Sequence, residues 1–168
     1  MKVSVESLFG SGIEEIQVDQ SLRLSGDLGA RYPGGMRVFA TIRRISHGVY
    51  VDGWVEGTER ETCGRCLEPF SRPARVRIEE PFSEDVPPAQ ALFSDVAPLV
   101  GRQIDLDELV GQLLEVDEPL VPLCRAQCAG ICQWCGANRN VEQCSCRQDV
   151  VDPRLAGLAR LLQEQPPD

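Results

Sequence analysis

The sequence predicts an α+β fold: an antiparallel β-sheet or small barrel with two helices and a C-terminal cysteine-rich zinc module. Three observations carry that reading. Residues 36–45 and 49–62 alternate apolar and polar side chains, the period of a strand with one buried face. An N-cap at Asp105 precedes an apolar stripe at helical spacing. Eight cysteines fall in two distant stretches, with spacings that suit metal. With 168 residues, roughly 70% of the unfolded chain's surface can be buried, so folding need not depend on covalent staples.

Residues 1–30 are short apolar pieces interrupted by Gly10, Gly12, Gly26 and Gly29, with an alternating strand at Ser21-Leu22-Arg23-Leu24-Ser25. Tyr32-Pro33-Gly34-Gly35 is a turn. Residues 36–45 and 49–62 are the strongest strand candidates, joined by a hairpin loop at Ser46-His47-Gly48. In the second of them Val49, Val51 and Val55 point to a buried face, while Tyr50, Asp52, Trp54 and Glu56 point away. After Cys63-Gly64-Arg65-Cys66, residues 72–82 form another strand with Val76 and Ile78 inward. Residues 83–100, rich in proline and acids, read as a long loop.

The first helix opens at Asp105, whose carboxylate can accept from unpaired amides of the first turn. Glu108 completes a capping-box-like arrangement, and Ile104 with Leu109 can form the staple. Leu106, Leu109, Val110, Leu113 and Leu114 make its apolar stripe, and Pro119 and Pro122 end it. A second helix opens at Asp152 with Pro153 in its first position; Leu155, Leu158, Ala159, Leu161 and Leu162 form its apolar face. The expected organisation is one compact unit. Residues 1–100 form a β-rich region with the C-x2-C knuckle and the acidic loop; residues 101–168 supply a helix, the cysteine-rich zinc module and the terminal helix.

The formal net charge of −9 argues against a wholly basic nucleic-acid coat. Its distribution says more. Residues 79–118 hold eleven acids and one base, Arg102, whereas residues 31–77 hold nine arginines and five acids. No apolar run approaches the length of a membrane span. Met1-Lys2-Val3-Ser4-Val5-Glu6 lacks the pattern of a secretory signal, so a cytoplasmic location is expected, a mature form with its signal removed being the alternative.

The cysteines carry the chemistry. Cys63 and Cys66 form a C-x2-C pair; Cys124, Cys128, Cys132, Cys135, Cys144 and Cys146 follow as C-x3-C-x3-C-x2-C-x8-C-x-C. A C-x2-C turn lets backbone amides face the sulfurs while both thiolates converge on one ion. Gly136, directly after Cys135, suits the positive φ that helps such a turn close. Eight thiolates supply two tetrahedral zinc sites. The favoured division is Cys63, Cys66, Cys124 and Cys128 in one, and Cys132, Cys135, Cys144 and Cys146 in the other. The second group closes locally as a small ribbon; the first clamps the β-region to the end of the acidic helix. An iron–sulfur cluster, disulfides or redox thiols are the alternatives. An all-thiolate site leaves no open position for water, which argues against catalytic zinc. His47, the single histidine, lies in a predicted turn, where such a residue is usually solvated. No Gly-rich phosphate loop, nucleophile elbow or metal–carboxylate constellation is present, so no catalytic residue is assigned and an enzyme is not expected.

Cys63-Gly64-Arg65-Cys66-Leu67 resembles the CxRCL element of the YceD family, the large ribosomal RNA subunit accumulation proteins. Gly130-Ile131-Cys132, Cys135-Gly136-Ala137-Asn138-Arg139-Asn140 and Cys144-Ser145-Cys146 resemble that family's C-terminal cysteine cluster, and Asp152-Pro153-Arg154-Leu155-Ala156 its closing helix. Arg139 departs from the pattern, since the family often has an apolar residue between the two asparagines, and Ile131 replaces a leucine. The resemblance covers most of the chain. It implies a role in accumulation of large-subunit (23S) rRNA, in bacteria or plant organelles, without known catalysis.

Two partners are compatible with that role. Large-subunit rRNA could meet Arg60, Arg65, Arg72, Arg75 and Arg77, which flank the first knuckle, unless Glu59, Glu61 and Glu68 neutralise them. A basic ribosomal protein could be held by the acidic residues 79–118. No membrane and no small-molecule substrate is expected. The alternative from another class is a thiol redox or metal-handling protein using the C-x2-C pairs.

Overall fold

The computed structural model describes residues 1–10, 12–146 and 154. In chain order the elements are β1 (Lys2–Ser4), α1 (Ser7–Gly10), β2 (Glu15–Leu22), α2 (Gly26–Arg31), β3 (Met36–Ile45), β4 (Gly48–Thr62), β5 (Pro69–Ser83), a 3-10 helix (Pro88–Phe93), β6 (Ala97–Pro98), β7 (Gln103–Asp105) and α3 (Leu106–Val116). The chain divides into two compact units. The first is Met1–Gly64 with Glu68–Ala126; the second is Arg65–Leu67 with the described residues from Gln127 onward.

The first unit is built on a five-stranded sheet of order β2-β3-β4-β5-β6. Its spine is the β4–β5 hairpin, 15 residues a strand, in register from Gly48↔Ser83 to Thr62↔Pro69. At about 3.3 Å per residue that hairpin extends roughly 50 Å. Period-two alternation sends Val49, Val51 and Val55 of β4 and Val76, Ile78 and Phe82 of β5 to one face, where they are buried with Val38 and Ile42 of β3. Leu106, Leu109, Val110 and Leu114 of α3 join the same core, with Val5, Leu8 and Ile104. Strands β1 and β7 pair as a separate two-stranded sheet. The Asp105 side chain caps α3 by accepting from the Asp107 N–H at 3.1 Å. At the β3–β4 turn Gly48 has φ 155°, and a Cβ there would overlap the Phe82 carbonyl across the hairpin.

The sheet differs from expectation in two ways. It is mixed, because β6 runs parallel to β5 through Phe82↔Ala97 and Ser83↔Pro98. The segment expected to be a plain loop contains the 3-10 helix, and that crossover brings the chain back in the direction of β5. Nor does a barrel close among the described residues: β6 is two residues long and ends at Pro98, which has no amide hydrogen to extend pairing toward β2. Beyond that short contact β5 is a free edge, and it carries Pro69, Pro73 and Pro81. The strand expected at residues 21–25 is the tail of the longer β2, which pairs along its whole length with β3. The helix expected from Asp152 lies outside the described residues, Arg154 apart. Among the described residues no helix is long and apolar enough to cross a membrane.

Candidate metal centres

The structure brings the eight sulfur atoms into two groups, Cys63 with Cys66, Cys124 and Cys128, and Cys132 with Cys135, Cys144 and Cys146. This is the division that spacing favoured. Within each group the Sγ atoms all lie within 4.8 Å of one another. A zinc ion about 2.3 Å from four thiolates sets neighbouring sulfurs roughly 3.8 Å apart, so both groups fit a tetrahedral ion with only small adjustment. Among the described residues no disulfide joins any cysteine.

Local backbone geometry explains the convergence. Both C-x2-C turns share one hydrogen-bond pattern: the first cysteine's N–H donates to the carbonyl five residues on, Cys63 to Glu68 at 3.0 Å and Cys132 to Ala137 at 2.8 Å. In both, the residue directly after the second cysteine is left-handed, Leu67 at φ 61° and Gly136 at φ 74°. Glycine takes that conformation freely, while leucine is strained there by about 1–2 kcal/mol. The first turn thus holds strain that its surroundings must offset.

Further contacts orient the sulfurs. The Asn140 side-chain amide donates to Cys128 Sγ at 3.4 Å, accepts from the Ala129 N–H at 2.9 Å and donates to Asn138 Oδ1 at 2.8 Å. Arg65 Nη1 donates to the Cys128 carbonyl at 3.3 Å. Such contacts around a ligand set fix ligand orientation. In the second group the backbone N–H groups of Cys135 and Trp134 face the Cys132 sulfur and pull that thiol down to about 6. Cys146 is pushed up to about 12, chiefly by its hydrogen bond with Cys135. Hydrogen bonds thus link Cys132 with Cys135 and Cys144, and Cys146 with Cys135, and a divalent ion held by the four would replace their thiol protons.

Of the five arginines proposed for RNA, the three on β5 divide between the two faces of the sheet. Arg75 and Arg77 lie on the outer face of the sheet, stacked on Trp54 with their guanidinium carbons 4.1 and 4.8 Å from its ring centre. Arg75 pairs with Glu56 at 3.0 Å; Arg77 pairs with Asp52 and with Glu79. Arg72 is on the opposite face, bonded to Glu59 at 2.6 Å. Arg60 is exposed and makes no ion pair among the described residues, and Arg65 belongs to the second unit. Of the three expected neutralising acids, only Glu59 pairs with any of the five. Glu61 pairs with Arg31, and Glu56, Asp52 and Glu79 do the rest.

Glu59 was missed as a structural centre. Its side chain is 2% exposed, and it accepts from Arg31 at 2.5 Å, Arg72 at 2.6 Å and the Tyr32 hydroxyl at 3.2 Å. Burial alone raises its carboxyl, but the two guanidinium groups hold it below the ordinary carboxylate value. The signal was present in the strand period: continuing Val49, Val51 and Val55 by twos reaches Glu59, and a buried carboxylate requires a cation.

Comparison with known proteins agrees with the cysteine pattern. The family model described as "Large ribosomal RNA subunit accumulation protein YceD" matches residues 51–162. An uncharacterized protein of Mycobacterium bovis is 29% identical over 153 residues, covering 90% of this chain and 68% of its own length. Uncharacterized proteins of two Mycobacterium tuberculosis strains match with the same identity and coverage. No solved structure matches. The matched span contains both C-x2-C turns and all eight convergent sulfurs, and the chain belongs to the YceD family.

Proposed function

We propose that this protein is a zinc-stabilised, non-enzymatic accessory factor that promotes accumulation of 23S rRNA during large-subunit biogenesis in the bacterial cytoplasm. It acts by binding rRNA or a ribosomal protein. The observation that carries this reading is the use of all eight cysteines in two four-sulfur groups within a family named for rRNA accumulation. Four thiolates fill the tetrahedral coordination of zinc, so the ions would hold structure rather than activate water. Cys63, Cys66, Cys124 and Cys128 would hold one ion and Cys132, Cys135, Cys144 and Cys146 the other.

The test joins metal content to phenotype. Elemental analysis of the purified chain is expected to find zinc in both groups, and a strain lacking the protein is expected to lose 23S rRNA that the wild-type gene restores. The second reading, a thiol redox or metal-handling protein, draws on the lowered Cys132 thiol. Eight reactive thiols without metal in the native chain, together with normal 23S rRNA in the deletion strain, would favour it.

A further inference from the structure

Within the first unit, between the inner end of β5, the β6 segment and helix α3, lies a groove of about 860 Å³. Phe82, Pro98, Val100 and Leu109 give it apolar walls. Val100 is 60% exposed at its rim, in a segment that otherwise turns apolar side chains inward. The polar lining is unbalanced: Glu80, Asp105 and Glu108 face a single base, Lys2. Asp105 is already engaged, capping α3 and meeting the Met1 amino group. Glu80 and Glu108 make no ion pair among the described residues.

Glu80 is the odd residue of the core-facing row. It stands between Ile78 and Phe82 on the face of β5 that packs inward, where the strand period calls for an apolar side chain. The other acids on that face of the hairpin have partners: Arg31, Arg72 and Tyr32 at Glu59, and Arg31 at Glu61. Glu80 has none, and burial raises its carboxyl above the ordinary value with nothing opposing. A carboxylate held there uncompensated is costly, and an incoming cation removes the cost.

We propose that this groove docks a basic, amphipathic segment of a partner protein, with a lysine or arginine of that segment closing onto Glu80 and neighbouring apolar side chains packing against Phe82, Val100 and Leu109. The inference rests on the reading of the chain as a binding accessory and chooses between its two partner types. Charge decides the choice. The groove lies in the stretch 79–118, with eleven acids and one base, which repels phosphate and attracts a polycation. Arg72, Arg75 and Arg77, by contrast, are already paired with carboxylates.

The test uses the full-length, metal-loaded chain and a fluorescent synthetic peptide of about twelve residues alternating Lys or Arg with Leu or Val. Binding is read by anisotropy. The basic peptide is expected to bind, and the same peptide with Glu at every basic position is not. Glu80→Gln is expected to weaken binding about tenfold and Glu80→Lys to abolish it. Glu15→Gln, on the opposite face of the sheet, should leave it unchanged. Equal binding by the Glu80→Gln chain, or displacement of the peptide by single-stranded oligouridylate, overturns the proposal. So does wild-type dimerisation that Glu80→Gln disrupts, which would make a second copy the occupant. A Glu80→Gln strain that has lost peptide binding yet accumulates 23S rRNA normally overturns the groove as the working surface and leaves the accessory role standing. A strain lacking the whole protein with normal 23S rRNA overturns that role instead.

Discussion

The two units are held together by different physics. The first buries a contiguous set of aliphatic and aromatic side chains from five strands and two helices, with Val38, Ile42, Val51 and Leu114 fully enclosed. In the second, the buried positions among the described residues are Cys66, Cys128, Gly130 and Cys132. Of its described large apolar side chains, Leu67, Ile131, Trp134 and Val141 face solvent. Among these described residues sulfur takes the place of an aliphatic interior, so a bound ion would supply the term that offsets their chain entropy. The first unit has such a term in its own sheet and helix.

The largest expected effect breaks this comparison directly. Structural zinc contributes on the order of 10–16 kcal/mol in small peptides, comparable to the whole stability of a domain. Chelation, or Cys132→Ser with Cys135→Ser, is expected to erase amide protection across residues 127–146 while strands β3 to β5 keep theirs. Hydrogen exchange reads both at once, and simultaneous loss in the sheet would show that the first unit does not stand alone.

Next in size is Glu59→Gln. Removing one partner of a buried ion network costs about 3–5 kcal/mol, because Arg31 and Arg72 are left facing a neutral amide. Denaturant unfolding should show it. The pH dependence follows from the lowered carboxyl: the wild-type advantage is full above the ordinary carboxylate range and disappears as pH falls through the depressed value.

Glu80→Gln should act in the opposite direction. Its carboxyl is raised, so the folded chain binds more protons than the unfolded chain in the window above the ordinary glutamate value, and wild-type stability falls as pH rises through it. The variant is therefore expected to be more stable than wild type at pH 7, with the gain vanishing in mild acid. Equal melting temperatures for the two at pH 7 would show that Glu80 is already compensated.

The smallest effect sharpens the second side. Trp134 is 63% exposed, so Trp134→Ala should change stability by less than about 0.5 kcal/mol despite the size of the side chain lost. In the first unit Leu114→Ala should cost about 2–5 kcal/mol.

What could be read in advance follows from the range of the forces involved. Strands β3, β4 and β5 announce themselves through alternation, and Asp105 through capping chemistry, because both depend on neighbours in sequence. The sulfur grouping was legible because ligand number and spacing leave few divisions. The partners of the β5 arginines were not. Whether Arg75 meets Glu56 or Arg72 meets Glu59 depends on hairpin register, which proximity in sequence does not reveal. Beta strand β2 was underestimated because Gln20 interrupts its apolar row, yet full pairing with β3 carries the strand across it. The parallel β6 was hidden in a proline-rich segment whose path is set by a 3-10 turn.

The prolines of β5 have a consequence for how anything can be recognised here. Pro69, Pro73 and Pro81 share one parity along the strand, so the three missing amides fall on the same, outward side. A passing polypeptide finds an interrupted row of donors and cannot zip on as an additional strand. Along this edge, then, contacts fall to side-chain chemistry, while the opposite edge strand, β2, carries no proline and keeps its row of amides.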